Sequence, residues 1–264
     1  MSEPATERIA KRIARAGVCS RREAERLVEA GRVAVDGEVL TSPAVTVTPA
    51  SRVTIDGQPL PVAERARLFR YHKPAGVLTA ASDPKGRPTL AGRLPAGLPR
   101  LMPVGRLDFT SEGLLLLTND GELKRRLELP STGWLRRYRV RVHGQIDEAK
   151  LARLADGITI EGFRYGPIEA TLDRVQGANA WLTMALREGK NREVRRVLEH
   201  FGWSVNRLIR VSYGPFQLGS LAPGEVAEVP PTVLREQAGG LLADADHARG
   251  GAGGRSRRAA VRGG

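Results

Sequence analysis

The chain has one cysteine in 264 residues. That single thiol, Cys19, permits no internal disulfide and no cysteine-based metal site. It sits in Ala16-Gly17-Val18-Cys19-Ser20, at the end of a helical pattern, and reads as a small packed residue. The four histidines, His72, His143, His200 and His247, show no ligand spacing, so no metal is expected. Long apolar runs and basic amphipathic anchors are missing too, which argues against a membrane partner. The stretch Met1 to Glu7 lacks the apolar core of a secretory signal, and a cytoplasmic protein is the expectation. No repeat of solenoid period is visible. Acidic charge is the remaining shortage: 29 Asp+Glu stand against 42 Lys+Arg, a net charge of +13. Such a surplus is the electrostatic footprint of a protein that meets a polyanion, nucleic acid foremost.

What is present divides into three parts. Residues 1–62 hold a compact unit. Ile9, Ile13 and Ala16 recur at helical spacing, with Arg8, Lys11, Arg12 and Arg15 on the other face. Gly17 stops that helix, and Ser20 caps a second one with Glu23 at the capping-box position. Val33, Val35 and Val39 alternate around Asp36-Gly37, a hairpin signal that Val53 to Gly57 repeats. Residues 63–67 read as a linker. Residues 68–232 form the larger part, with strands expected at Leu68–His72, Leu114–Thr118, Tyr138–Val142, Gly166–Leu172 and Ala180–Leu186. Helices are expected at Gly121–Leu129, Glu148–Leu154 and Lys190–Phe201. Strands and helices do not alternate strictly, so an α+β domain with a mixed sheet fits better than a doubly wound one. Residues 233–264 read as a basic Gly/Arg-rich tail, disordered by composition. Trp134, Trp181 and Trp203 are expected as core anchors.

The most informative segment is Gly105-Arg106-Leu107-Asp108-Phe109-Thr110-Ser111-Glu112-Gly113, followed by four leucines and Thr118-Asn119-Asp120-Gly121. It reads as loop, buried strand and turn. A carboxylate just before a buried strand, in a basic chain, is placed to act on something anionic. By residue chemistry alone an Asp between an Arg and a Thr-Ser turn is most often a turn or cap residue. Glu112 is not clearly paired with it across a substrate, which leaves a two-carboxylate glycosidase poorly supported.

Two resemblances add to this reading. Ile9 to Ala24, then Gly31-Arg32-Val33-Ala34-Val35-Asp36-Gly37, resembles the S4 RNA-binding domain. Gly105 to Gly121 resembles the catalytic motif of RNA pseudouridine synthases of the RsuA/RluB type. Tyr71-His72-Lys73-Pro74-Ala75-Gly76-Val77 and Glu188-Gly189-Lys190-Asn191-Arg192-Glu193-Val194-Arg195-Arg196-Val197 resemble further segments of the same family. Together they cover roughly residues 7 to 230 in the family's order.

The resemblance implies a small S4 domain followed by a pseudouridine-synthase domain with a mixed, mainly antiparallel sheet flanked by helices. The implied reaction isomerises a uridine within RNA. The N1–C1′ bond breaks, the uracil turns and C5 bonds to C1′, after the base has left its stack. No cofactor is implied. Asp108 would be the nucleophile or base, held bidentately by Arg195, although charge alone cannot choose among Arg192, Arg195 and Arg196. Tyr138 would stack on the uracil, and Leu208 would pack against it. Relatives often carry Lys two residues before this Tyr, where this chain has Arg136. Arg106, Lys190, Arg192, Arg196, Arg207 and Arg210 would line the RNA path, with Lys73 a further phosphate candidate. Arg12, Arg15, Arg21, Arg22 and Arg32 would serve the S4 unit. The implied partner is ribosomal RNA, 23S by the basic tail, or an assembling ribosomal subunit, met by a monomer. A 16S enzyme and a non-catalytic RNA-binding or ribosome-assembly factor of the same fold are the alternatives.

Overall fold

The computed structural model describes residues 6–247, with side chains given through residue 242. The N-terminal unit packs helix α1 (Ile9–Arg15) against α2 (Arg21–Glu29). Ser20 accepts from the Glu23 amide at 3.2 Å while the Glu23 carboxylate accepts from the Ser20 amide at 2.7 Å, so the expected capping box is present. Strands β1 (Val33–Val35) and β2 (Val53–Ile55) pair antiparallel. Each leads into an Asp-Gly turn in which both residues have positive φ, 52° and 93° at Asp36-Gly37 and 50° and 78° at Asp56-Gly57. Ile9, Ile13, Ala24, Val28, Val33, Val47 and Val53 form its core.

The larger unit is built on a nine-stranded sheet. Its strands are β3 (Leu68–Lys73), β4 (Glu112–Thr118), β5 (Arg136–His143), β6 (Ile168–Gln176), β7 (Asn179–Leu186), β8 (Ser204–Tyr213) and β9 (Val226–Glu228). They lie in the order β6-β7-β5-β8-β4-β3-β9, with the short strands Met102–Val104 on β4 and Phe216–Gln217 on β8. Only β4 and β8 pair in parallel; the other described pairings are antiparallel. The architecture is therefore α+β, with a mixed and mainly antiparallel sheet.

The leucine run explains why β4 is an interior strand. Leu114 and Leu116 enter one core with α3 (Gly121–Glu128) and α6 (Pro231–His247). Leu115 and Leu117 enter another on the opposite face with Phe69, Tyr71, Leu90 and Leu107. All four are fully buried, and each such burial is worth about 1.5–3 kcal/mol. Helices α4 (Glu148–Arg153) and α5 (Glu193–His200) cover one face of the β6-β7-β5-β8 half, through Leu151, Val194, Val197 and Leu198.

Two expectations need correction, those on the tail and on Trp181. Residues 231–247 are helical, so the tail does not begin at 233. Leu234, Ala238, Leu241 and Leu242 recur at helical spacing and pack on the core, past a kink at Ala238 beside Gly239-Gly240. The remaining tail residues, 248–264, lie outside the described residues. The segment 63–67 is pinned rather than free: the Arg67 amide donates to Asn119 at 2.8 Å, Thr118 donates to the Arg67 carbonyl at 2.7 Å, and the Arg67 guanidinium pairs with Glu228. Trp181 is not a core anchor; it lies half-exposed on the sheet with the Arg139 guanidinium 4.9 Å from its ring. Trp203 is buried, its indole N–H donating to the Gln145 carbonyl. Trp134 packs edge-on against Tyr213 and Phe216.

Candidate active site

Strand register brings the site together. Lys73 on β3 pairs with Gly113 on β4, Gly113 with Arg210 on β8, Arg210 with Tyr138 on β5, and Tyr138 with Met184 on β7. Paired residues point to the same face, so these five positions form one row across the sheet. The Asp108 loop enters β4 at the glycine of that row. Glycine is required there. Its φ is +103°, and a Cβ would lie 2.3 Å from the Arg210 carbonyl oxygen and 2.7 Å from the Arg210 nitrogen.

The loop itself is fixed through its backbone. Lys73, fully buried, donates from Nζ to the carbonyls of Pro74 at 3.1 Å, Asp108 at 3.1 Å and Ser111 at 2.8 Å. The Gly76 amide donates to Phe109, the Ser111 amide to Asp108, and the Gly105 amide to the Glu128 carboxylate at 2.6 Å. Thr79 bonds both the carbonyl and the amide of Leu107. Lys73 is thus a loop clamp, and burial corrects its assignment as a phosphate contact. That burial pushes its ammonium down to about 8, opposed by the nearby Asp108 and Glu112 carboxylates. Three carbonyl acceptors also favour the charged form. Lys73→Met should leave those carbonyls unpaired and cost about 2–4 kcal/mol in chemical denaturation. A loss below about 1 kcal/mol would contradict the clamp.

With its backbone held, Asp108 presents a carboxylate that is 32 % exposed. It lines a cavity of about 300 Å³ together with Tyr138, Leu208, Arg106, Lys190 and Arg192. Tyr138 and Leu208 come from neighbouring strands and are nearly buried. A cavity of that size has room for a nucleobase, and a base held in a duplex must leave its stack to enter it.

The expected Arg195–Asp108 pair is not formed. Arg195 faces inward from the first turn of α5 and donates to the carbonyls of Val205 at 3.1 Å and Thr110 at 3.4 Å. It ties the Asp108 loop to the start of β8, which positions the carboxylate without grasping it. Burial pulls its guanidinium below the usual arginine range, as does neighbouring Arg192, while Asp108 opposes the shift. The nearest cation to the carboxylate is Arg192, with Nη1 3.9 Å from Oδ2. Arg192 reaches it from a left-handed residue (φ 52°) that caps α5.

The other basic residues sort by contact. Arg106 and Lys190 are exposed at the cavity, and Lys190 also bonds Glu188 and the Arg164 carbonyl. Arg196 is exposed on α5 but does not line the cavity. Arg210 is buried in the cavity wall, where its Nε donates to the Leu114 carbonyl. Arg207 pairs with Glu112. In the N-terminal unit, Arg12 and Arg15 pair with Glu7, and Arg32 pairs with Asp56, so these three are partly neutralised. Arg21 and Arg22 are exposed. Arg15 and Arg21 line a second cavity of about 480 Å³ with Arg100, Lys124 and Arg125 of the larger unit.

Three further residues of the site had no role assigned in the sequence reading, although Arg136 was noted there as standing where relatives often carry Lys. Arg136 stacks over Tyr213, bonds its hydroxyl at 3.0 Å and holds the Glu188 carbonyl at 3.1 Å, bracing the loop before α5. Glu128 anchors Gly105. Glu193 is buried at the cavity with Oε2 accepting from the Lys190 amide, and burial raises its carboxyl above the usual range. The three-residue spacing from Lys190 to Glu193 is a capping-box spacing and was available as a signal. No group of His, Cys, Asp and Glu fit to hold a metal occurs among the described residues, and no described helix is long and apolar enough to cross a membrane.

Comparison with known proteins matches this arrangement. Residues 67–200 match the family described as RNA pseudouridylate synthase, and residues 7–53 match the S4 domain. The chain belongs to the RNA pseudouridylate synthase family. It is 42% identical over 229 residues to an uncharacterized RNA pseudouridine synthase of Rickettsia typhi, covering 87% of this chain and 94% of that one. It is 46% identical over 220 residues to the ribosomal large subunit pseudouridine synthase B of Salmonella typhi, covering 81% of this chain and 75% of the relative. A solved pseudouridylate synthase superposes with a TM-score of 0.60 at 26% identity, covering 87% of this chain and 98% of that one. The protein is accordingly an RNA pseudouridine synthase of the RsuA/RluB type with an N-terminal S4 domain.

Proposed function

We propose that this pseudouridine synthase isomerises one uridine of large-subunit (23S) ribosomal RNA, acting as a monomer in the cytoplasm with Asp108 as its catalytic carboxylate. The observation that carries the reading is the convergence of Asp108, Tyr138 and Leu208 on one cavity with room for a nucleobase. The flipped uracil stacks on Tyr138 and packs against Leu208, where stacking contributes about 1–3 kcal/mol. Asp108 then acts on C1′ of the sugar or on the uracil. The N1–C1′ bond breaks, the base turns, C5 bonds to C1′, the C5 proton leaves with the Tyr138 hydroxyl at hand, and N1 takes up a proton, so the count of atoms is unchanged. Arg192 and Arg195 keep positive charge beside the carboxylate. The large-subunit target is supported by the 46% identical relative of that description, and an RNA substrate by the basic surplus of the chain.

The test is direct. Purified protein is incubated separately with transcribed 23S and 16S ribosomal RNA, and pseudouridine is mapped chemically. A single modified position in 23S and none in 16S is the expected result. Modification confined to 16S would assign the target to the small subunit. Tight RNA binding without any isomerisation would indicate an assembly factor.

A further inference from the structure

The catalytic cavity lies on the sheet face that α4 and α5 partly cover, and the opposite face of β6-β7-β5-β8 carries a different surface. Strand β5 places Tyr138, Val140 and Val142 in the core and turns Arg137, Arg139 and Arg141 outward. Arg137 and Arg139 are exposed and Arg141 is half-buried. None of these three, nor Arg174 on β6, has a carboxylate within 4.0 Å among the described residues. One cross-strand row reads Arg174, Trp181, Arg141, Arg207. In it the Trp181 ring has the Arg139 guanidinium at 4.9 Å and that of Arg174 at 6.0 Å.

Such a face is costly in isolation. Arg141 and Arg207 stand directly opposite on paired strands, and like charges so placed repel. Glu112 pairs with Arg207 and Asp173 accepts from Thr183, the cross-strand partner of Arg139, yet no described carboxylate lies within 4.0 Å of Arg137, Arg139, Arg141 or Arg174. The C-terminal residues 248–264 contain arginine and no acid, so that segment cannot neutralise the face. Alternate residues of a strand repeat at about 7 Å, which gives a straight ladder of guanidinium groups on a rigid sheet. Arginine on a flat, half-apolar platform suits phosphate, which it can bind bidentately.

We propose that this open sheet face is a second RNA-docking surface, in which Arg137, Arg139, Arg141 and Arg174 hold a phosphate backbone remote from the base in the catalytic cavity. The proposal rests on RNA being the substrate, but its readout is RNA affinity rather than pseudouridine yield, so the two can fail separately. The surface would grip a long structured RNA and leave a short one unaffected.

The experiment compares the full-length protein with the triple variants R137Q/R139Q/R141Q and R137K/R139K/R141K. Binding to transcribed 23S ribosomal RNA and to a short single-stranded uridine-containing oligonucleotide is measured across salt concentrations. The glutamine variant should lower the slope of log affinity against log salt for the long RNA by about 2, from three lost phosphate contacts. The wild-type advantage then shrinks about fifteenfold between about 50 and 200 mM salt. Oligonucleotide binding and turnover at saturating RNA should be unchanged, and the lysine variant should keep the slope. A folded glutamine variant with wild-type slope and affinity would overturn the proposal and leave an acidic protein surface as the partner. A lysine variant as weak as the glutamine variant would also overturn it, by showing that charge is not what the face supplies.

Discussion

Asp108→Asn should abolish pseudouridine formation, by at least about a thousandfold in single-turnover rate, while leaving the fold and the RNA affinity intact. The structure gives the reason for both halves. Asp108 contributes to the fold through its backbone carbonyl, which accepts from Lys73 Nζ and from the Ser111 amide. Its carboxylate makes one loose contact, with Arg192 at 3.9 Å. Asparagine keeps the shape and the backbone bonds and removes only the charge and basicity. RNA affinity should hold or rise slightly, because a negative charge leaves the path of a polyanion. Unchanged melting temperature, unchanged binding and lost turnover together would identify the carboxylate as chemical rather than architectural. A variant that retains turnover within tenfold would remove Asp108 from the reaction.

Gly113→Ala should be the most damaging single methyl in the larger unit. The new Cβ would meet the Arg210 backbone, its carbonyl oxygen at 2.3 Å and its nitrogen at 2.7 Å, with no flexible side chain to give way. The φ of +103° adds strain that an L side chain rarely accepts. Strand β4 would have to separate from β8 where their parallel pairing brings Asp108 beside Tyr138 and Leu208. We expect a loss of more than about 4 kcal/mol, seen as insoluble protein or a melting temperature lowered by more than about 8 °C. Any soluble fraction should be slow, since a displacement of about 1 Å can cost a hundredfold in rate. By contrast Gly76→Ala meets no atom within 4 Å and carries only the strain of its φ of +78°, so it should be clearly milder. Equal stability of Gly113→Ala and the parent protein would contradict the register described for β4 and β8.

The elements that were legible in the sequence are those set by local chemistry. The Ser20/Glu23 capping box, the Asp36-Gly37 and Asp56-Gly57 turns and the Leu114–Leu117 strand each follow from a few neighbouring residues, and each is found. What escaped was decided by contacts across the chain. Lys73 reads as a surface cation until β3 pairs with β4 and buries it under the loop it clamps. The choice between Arg192 and Arg195 depends on whether a guanidinium meets a carboxylate or the carbonyls of Thr110 and Val205, which spacing along α5 does not reveal. Strand β8 was not foreseen as the sheet's centre. Arg207 and Arg210 give Ser204–Tyr213 a polar pattern, and their partners, Glu112 and the Leu114 carbonyl, lie about a hundred residues earlier. Helix α6 was lost to the Gly- and Arg-rich composition that follows it, although Leu234, Ala238, Leu241 and Leu242 already carry its buried face.

The central claim is that one uridine of large-subunit ribosomal RNA is isomerised through Asp108. It is tested most directly by mapping pseudouridine in ribosomal RNA from cells lacking the gene, complemented with the parent chain or with Asp108→Asn. The account predicts one missing pseudouridine, in 23S RNA, restored by the parent chain and not by the asparagine variant. Restoration by Asp108→Asn, or an unchanged pseudouridine map in the gene's absence, would contradict it.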